Sequence, residues 1–305
     1  MAAEHVLVTG GSGFIGSAVA RGFVDAGYRV TVVDHTRSPV QGADSVVGDL
    51  RDEDVRRRAL ASDVSGVVHL AAATSVVGSM SDPLGVFHDN VSVTAALLDL
   101  ARTRGAHRFM MSSTNAVVGE VGHRVIGPEL PPRPLTPYGA TKAAGEMLLS
   151  AYAGSYGMAT CALRLTNVYG PGMGHKDSFV ARLMRAARAD TGVQVYGDGM
   201  QQRDFVYVTD VVAAILLAWR ASAEGTLVVG SGTSVTMLDL IERVRSVTGR
   251  PLPIEHAPVR TGEMTAVIVD LSGARRLGYE PSVGLDQGLT TVWKEAAVDW
   301  ASQPG

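Results

Sequence analysis

The chain has one cysteine, Cys161, so no disulfide can form within it. That excludes the disulfide-stapled secreted folds and agrees with a reducing cytoplasm. Cys161 lies in the apolar run Ala159–Leu165, which reads as a small core hydrophobe rather than a nucleophile. Charge of one sign is also lacking: 27 basic against 30 acidic residues give a net charge of -3. There is no basic footprint for a nucleic acid or an anionic membrane, and neither partner is expected. No run reaches the roughly 18 apolar residues of a membrane span; the most apolar helical stretch, Val211 to Trp219, falls well short. The opening residues Met1 to His5 lack the charged and apolar regions of a signal peptide, so an untargeted, cytoplasmic chain is expected. Internal repeats and low-complexity segments are missing, and no metal site is expected. What remains, 305 residues with 46% hydrophobic and 19% charged side chains, has the composition of a globular enzyme with a sizeable core.

Organisation begins at the N-terminus. His5 to Thr9 is a short β-branched run, followed by Gly10-Gly11-Ser12-Gly13-Phe14-Ile15-Gly16 and a helical pattern over Ser17 to Ala26. Strand, glycine turn and helix are the context that turns a glycine motif into a dinucleotide site. Glycines let the backbone approach a pyrophosphate, and the helix N-terminus offers open N–H groups. The next strand, Tyr28 to Val33, ends in Asp34. An acid about twenty residues past the turn accepts from the ribose hydroxyls and repels a 2′-phosphate, which predicts NAD over NADP. Arg37 weakens that prediction, and a strand-end aspartate also serves as a loop initiator. Asp49 either reaches the adenine or caps the helix starting near Asp52.

Strands are predicted at Ser45–Val47, Gly66–Leu70, Arg108–Met111 and Thr160–Leu165, with a long helix from Asp82 or Pro83 to Arg104. Small residues Ala71, Ala72 and Ala73 at a strand end leave room for a flat ligand, which binds at that edge of open α/β sheets. The alternation predicts an α/β fold: a Rossmann-type doubly wound parallel sheet with a smaller C-terminal substrate-binding lobe. Residues 1–168 form the NAD-binding domain, with 201–232 returning to it, and 169–200 with 233–305 form the second lobe.

Chemistry centres on Tyr138-Gly139-Ala140-Thr141-Lys142 at the start of a helix. Residues four apart share a helical face, so the Lys142 ammonium is expected near the Tyr138 phenol, lowering its pKa and making a general base. Alone, the spacing is equally that of a surface tyrosine and an ordinary helical lysine.

The ordered set Thr9 to Gly16, Asp34, Gly48-Asp49-Leu50, His69 to Ala72, Ser112-Ser113-Thr114, Tyr138 with Lys142, and Arg164 to Pro171 resembles the extended short-chain dehydrogenase/reductases. Their NAD-dependent nucleotide-sugar epimerase/dehydratase branch is the nearest in pattern. The resemblance continues through Gly197-Asp198-Gly199, Gln201, Arg203 to Val211, Arg260 to Glu263, and Leu277 to Pro281, nearly end to end. It implies that Tyr138 takes a sugar hydroxyl proton, that Thr114 shares a hydrogen bond with that oxygen, and that Lys142 also binds the nicotinamide ribose. Gly10, Gly13, Phe14, Ile15, Gly16, Asp34, His35, Ser38, Asp49, Leu50, Leu70, Ala71, Ala72, Thr74, Asn90 and Ser112 are implied as further NAD contacts. Thr74, Thr114, Asn115, Tyr138, Asn167, Phe179, Tyr196, Gln201, Arg203, Arg260 and Glu263 are implied around the substrate. Arg203 and Arg260 would bracket a diphosphate, with Phe179 and Tyr196 beside a pyrimidine, UDP above all. As a bare residue, Arg203 reads equally as the partner of Asp204 in a surface salt bridge.

Family members that dehydrate or decarboxylate place acids where this chain has Asn115 and Ala116, neither of which is an acid or base. The resemblance therefore implies 4-epimerisation through a transient 4-keto sugar. A nucleotide-sugar dehydratase or 4-ketoreductase is the chemical alternative, and a non-catalytic NAD-binding sensor or scaffold the alternative of another class. Three positions depart from the family pattern: Val118 for a tyrosine, Tyr207 for a histidine, and Gly172 to Asp177 without an arginine, leaving His175 or Lys176 to meet a carboxylate. Neutral hexose, uronic acid and N-acetylated sugars all stay open. The resemblance also implies a homodimer formed by the helices Pro83–Arg104 and Tyr138–Tyr152.

Overall fold

The fold was obtained as a computed structural model that describes residues 3–259 and 262–299. The chain enters through β1 (His5–Thr9), buried at every position, then α1 (Phe14–Asp25), β2 (Arg29–Asp34) and β3 (Ala43–Val47). Next come α2 (Glu53–Ala59), whose N-cap Asp52 accepts from Asp54 N, and β4 (Val64–His69). Helices α3 (Val76–Ser81) and α4 (Pro83–Phe87) lead through a π-helical turn at His88–Ser92 into α5 (Val93–Thr103). The single helix expected from Asp82 or Pro83 to Arg104 is thus interrupted: Val93 N bonds five residues back to His88 O, a wider coil that hydrophobic spacing does not reveal.

β5 (Arg108–Thr114), β6 (Val125–Ile126), α6 (Pro137–Tyr156) and β7 (Ala159–Leu165) follow, then β8 (Asn167–Tyr169), α7 (Phe179–Ala189) and β9 (Val193–Tyr196). β10 (Gln202–Tyr207), α8 (Val208–Arg220) and β11 (Gly225–Val229) come next. β11 closes a seven-stranded sheet of order β11-β7-β5-β4-β1-β2-β3, parallel throughout. Its order reverses between β1 and β4, which puts the ligand crevice of a doubly wound sheet at the C-terminal ends of those strands. The return to this sheet is made by α8 and β11. β10 instead pairs with β8, in a smaller sheet completed by β12 (Ser234–Thr236).

The remaining elements are α9 (Met237–Thr248), β13 (Ile254–Ala257) paired with β9, β14 (Ile268–Val269) paired with β6, α10 (Ser272–Arg275) and α11 (Leu285–Asp299). Helices cover both sheet faces because both carry apolar residues. Val19, Phe23, Ile215 and Trp219 of α1 and α8 bury one face, while Leu97, Leu98 and Leu149 of α5 and α6 bury the other. A third core joins α7, α9 and α11 through Leu183, Leu240 and Val292. Cys161 is buried in the sheet core, as its apolar surroundings predict. Among the described residues no helix is long and apolar enough to cross a membrane, and no group of acids, histidines and cysteines could hold a metal ion.

Candidate active site

At the switch between β1 and β4 the glycine turn packs so closely that side chains are excluded. Gly10 has φ +68°, and a Cβ there would lie 2.7 Å from Ala71 N. A Cβ on Gly16 would collide with the Gly10 carbonyl, so α1 starts hard against the turn. The α1 N-cap, Gly13, carries no capping side chain, and the first turn has no acid, which leaves its N–H groups open to an anion. Asp34 ends β2 and accepts from Ser12 N at 2.9 Å and His35 N at 2.7 Å, which fixes its carboxylate over the turn with lone pairs to spare. The loop-initiating and ligand-binding readings of Asp34 are compatible. His35 and Arg37 stand exposed, and Ser38 folds back to accept from Val40 N. These residues fit NAD: an open helix end for the pyrophosphate, an acid for the ribose, and small residues along Ala71 and Ala72.

Asp49 is committed to Arg51, through Nη2 at 2.6 Å and the backbone N at 2.8 Å, and these bonds hold its carboxyl below the usual range. It does not cap the following helix; Asp52 does. Leu50 is buried behind it and Thr74 is exposed on the loop after β4. Asn90, expected among the cofactor contacts, is buried with its amide fully used: Oδ1 accepts from Ala73 N, and Nδ2 donates to Ala73 O and Thr141 Oγ1.

Tyr138 sits in the first turn of α6, placed by Pro137 at the helix start and by Thr136, whose Oγ1 accepts from Gly139 N at 3.2 Å. Its phenol is hydrogen-bonded to Thr114, the last residue of β5. Lys142 lies one turn on, buried, with Nζ donating to Ser112 O at 2.8 Å. The expectation that Lys142 lowers the phenol's pKa is corrected here. Burial pushes Tyr138 up to about 12, opposed by the Thr114 hydrogen bond, while the Lys142 ammonium donates to a carbonyl of β5. Burial also lowers Lys142 to about 8, against the pull of Glu146.

Glu146 was not singled out by the sequence. It accepts from Ser113 Oγ at 2.5 Å and takes a two-pronged ion pair from Arg164, at 3.0 and 2.8 Å, within the protein interior. The only sequence signal was its spacing, one turn beyond Lys142 on the same face. Asn115 is buried, donating weakly to Leu165 O at 3.5 Å, with Oδ1 unpartnered among the described residues; the Ala116 side chain is neither an acid nor a base.

A cleft of about 220 Å³ gathers Asn167, Phe179, Tyr196, Gln201, Arg203 and Glu263, all expected around the substrate. Arg203 pairs with Glu263 at 3.3 Å. Its surface bridge with Asp204 does not form, because Asp204 is fully buried and accepts from Thr166, Ser231 and Gly232. Gln201 Nε2 donates to Tyr196 O at 2.7 Å, and Asn167 Nδ2 to Asp204 O at 3.0 Å. Three buried polar atoms on this lining, Ser178 Oγ, Gln201 Oε1 and Glu263 Oε2, have no partner among the described residues. Buried polar atoms normally have partners, so this cluster suits a polar ligand. Ser178 escaped the sequence reading because a serine before a helix looks like a cap, yet it makes no capping bond. Arg260 lies outside the described residues.

The departures are absorbed by packing. Val118 is buried beside Val117 and Ile126, and Tyr207 meets Tyr169 edge-on at 5.4 Å. Arg185 braces the 172–177 loop by donating to Gly174 O and Lys176 O at 2.7 and 2.8 Å.

A doubly wound sheet, an open glycine turn at its switch point and a Thr–Tyr–Lys set beside a polar cleft define an extended dinucleotide-dependent enzyme of the short-chain type. The chain belongs to the NAD-dependent epimerase/dehydratase family, whose sequence pattern matches residues 6–230. It is similar to a UDP-glucose 4-epimerase of Streptomyces lividans, 34% identical over 302 residues covering 90% of this chain and 91% of that one. The structure of Thermus thermophilus UDP-glucose 4-epimerase with NAD superposes with a TM-score of 0.91 at 32% identity, covering 97% and 99% of the two chains. That of Bacillus cereus UDP-glucuronic acid 4-epimerase with UDP-glucuronic acid and NAD gives 0.88 at 27% identity, covering 96% and 99%.

Proposed function

We propose that this chain is an NAD-dependent 4-epimerase of UDP-linked hexoses or hexuronic acids. The observation that carries the reading is the Thr114–Tyr138 hydrogen bond at the end of β5, with Asn115 and Ala116, neither an acid nor a base, next in the chain. NAD held by the glycine turn and Asp34 would supply reversible hydride acceptance at C4, and its positive charge would favour ionisation of the phenol. Tyr138 then takes the C4 hydroxyl proton and gives it back. Thr114 holds the same oxygen through its hydroxyl. Lys142, fixed by Ser112 O, is placed to meet a ribose hydroxyl from the protein interior. Arg203, released from Glu263, would bind the diphosphate, and Glu263 and Gln201 would take the ribose hydroxyls, with Phe179 and Tyr196 beside the base. Asn115 and Ala116, which follow Thr114, supply no acid or base for elimination of water.

The domain division is proposed as residues 1–168 with 201–232 for NAD, and 169–200 with 233–305 for the nucleotide sugar. The seven-stranded sheet, rejoined by β11, and the α7–α9–α11 core support it, with β10 pairing to β8 outside that sheet. A cytoplasmic homodimer through α4, α5 and α6 completes the reading.

The test is incubation with UDP-glucose, UDP-galactose, UDP-glucuronate and UDP-N-acetylglucosamine, with products separated by epimer. An equilibrium mixture of equal-mass epimers without net NADH is expected for one pair. A product lighter by water, or consumption of added NADPH, would overturn the reading in favour of a dehydratase or ketoreductase. Unchanged turnover on Tyr138→Phe would leave Tyr138 outside the mechanism.

A further inference from the structure

We propose that His69 and Thr94 are positioning residues: with Asn90 and Thr141 they form a buried hydrogen-bond chain of fixed direction that ties the cofactor turn to the seat of Tyr138. The chain rests on the reading of the site given above. Its direction follows from counting protons. Thr94 Oγ1 donates to Asn90 O at 2.6 Å, so at 3.0 Å it must accept from His69 Nε2–H. Burial and the nearby Lys142 charge keep His69 neutral, leaving a lone pair on Nδ1 that accepts from Thr9 Oγ1 at 2.7 Å. Thr9 Oγ1 in turn accepts from Leu70 N and Ala71 N at 3.2 and 3.1 Å, the strip against which the Gly10 turn is packed.

The other end reaches the catalytic helix. Asn90 lies within the π turn, a feature that clusters at functional sites. Its amide clamps Ala73 from both sides, at 2.8 and 3.0 Å, and donates to Thr141 Oγ1 at 3.0 Å. Thr141 Oγ1 donates to Tyr138 O at 2.8 Å. All four side chains are buried, each has one satisfactory polarity, and none of their polar atoms is without a partner. The geometry of the strip 70–73, along which the cofactor would lie, and that of the Tyr138 backbone are therefore set together. A misplacement of Tyr138 by about 1 Å is enough to slow the chemistry by one to two orders of magnitude.

Thr94→Val removes the central hydroxyl at nearly constant shape. It is expected to lower kcat about tenfold with KM for the UDP-sugar within about twofold, and to speed amide exchange over residues 69–74 in the NAD-free protein. Thr94→Ser is expected to restore both kcat and exchange. Thr141→Val cuts the two bonds at that end, from Asn90 Nδ2 and to Tyr138 O, leaves Asn90 on Ala73, and is expected to lower kcat with exchange over 69–74 unchanged. Wild-type kcat and exchange in Thr94→Val, or a loss that Thr94→Ser does not restore, would overturn the proposal. If the wild-type protein interconverts no UDP-sugar, the functional reading fails by itself, and exchange in the NAD-free protein still decides the chain.

Discussion

At the scale of single residues, the site depends on two buried groups whose ionisation burial opposes. Tyr138, at about 12, is a phenol at neutral pH until a positive charge arrives beside it. Tyr138→Phe is expected to reduce turnover by about 10²–10⁴-fold, with binding of UDP, measured by isothermal titration, unchanged because the nucleotide cleft is built from other elements. Lys142 shows the opposite sign. Its folded pKa of about 8 lies below the ordinary 10.5, so between those values the unfolded chain binds the extra proton. Stability therefore rises with pH across that window, and below it the buried ammonium costs on the order of 3 kcal/mol. Lys142→Met should raise the melting temperature of the NAD-free protein at pH 7, and the gain should shrink as pH climbs from 8 to 10. An unchanged gain at pH 10 would show that the lysine's charge is not what is relieved.

Elements set the distances that these residues need, and α6 does most of it. Gly139 has no room for a Cβ, which would lie 2.7 Å from Ala116 O and 3.0 Å from Pro134 Cβ, both rigid. Gly139→Ala should push the first turn of α6 off the end of β5, stretch the Thr114–Tyr138 bond and lower kcat by more than about tenfold. Gly145 is equally close to its neighbour, but that neighbour is the Met111 thioether, at 2.7 and 2.8 Å. A flexible methionine can give way, so Gly145→Ala should keep most of its activity in the same assay. Activity in the two variants, checked against their melting temperatures, separates contact with backbone from contact with a movable side chain. Sequence reasoning placed β1, α1, β2 and the start of α6 within a few residues because strand, turn and helix periods are local. It missed the π turn at His88–Ser92 and the pairing of β10 with β8, since one depends on a single shifted hydrogen bond and the other on partners distant in sequence.

For the whole molecule, the exposed apolar side chains are informative. Met80, Leu84, Phe87, Met147 and Tyr156 are 48, 71, 45, 61 and 54% exposed, and they sit on α3, α4 and α6, which pack against one another. An apolar face of this kind on adjoining helices suits a self-complementary interface. Leu84→Asp or Met147→Asp should convert a dimer to a monomer in sedimentation velocity at micromolar concentration. A wild-type protein that sediments as a monomer would remove the interface from the reading.

What the sequence by itself determined was chemistry carried by local pattern. The glycine turn, Asp34 and the spacing of Tyr138 and Lys142 each declare themselves within a few residues, because turn, helix and strand geometry are short-range, whereas Asn115 and Ala116 gained meaning only from the family resemblance. The cleft residues Asn167, Phe179, Tyr196, Gln201, Arg203 and Glu263 were named from motifs, and the fold brought them together. Only the tertiary structure decided where charges and protons sit. The Lys142 ammonium turned to Ser112 O, Arg203 chose Glu263 over its neighbour Asp204, and Glu146 met Arg164. Ionisation depends on burial and on partners from other strands, and a linear sequence holds neither. So the sequence pointed to Tyr138 as the candidate base, and the fold buries its phenol beside Thr114, a burial that pushes its pKa up.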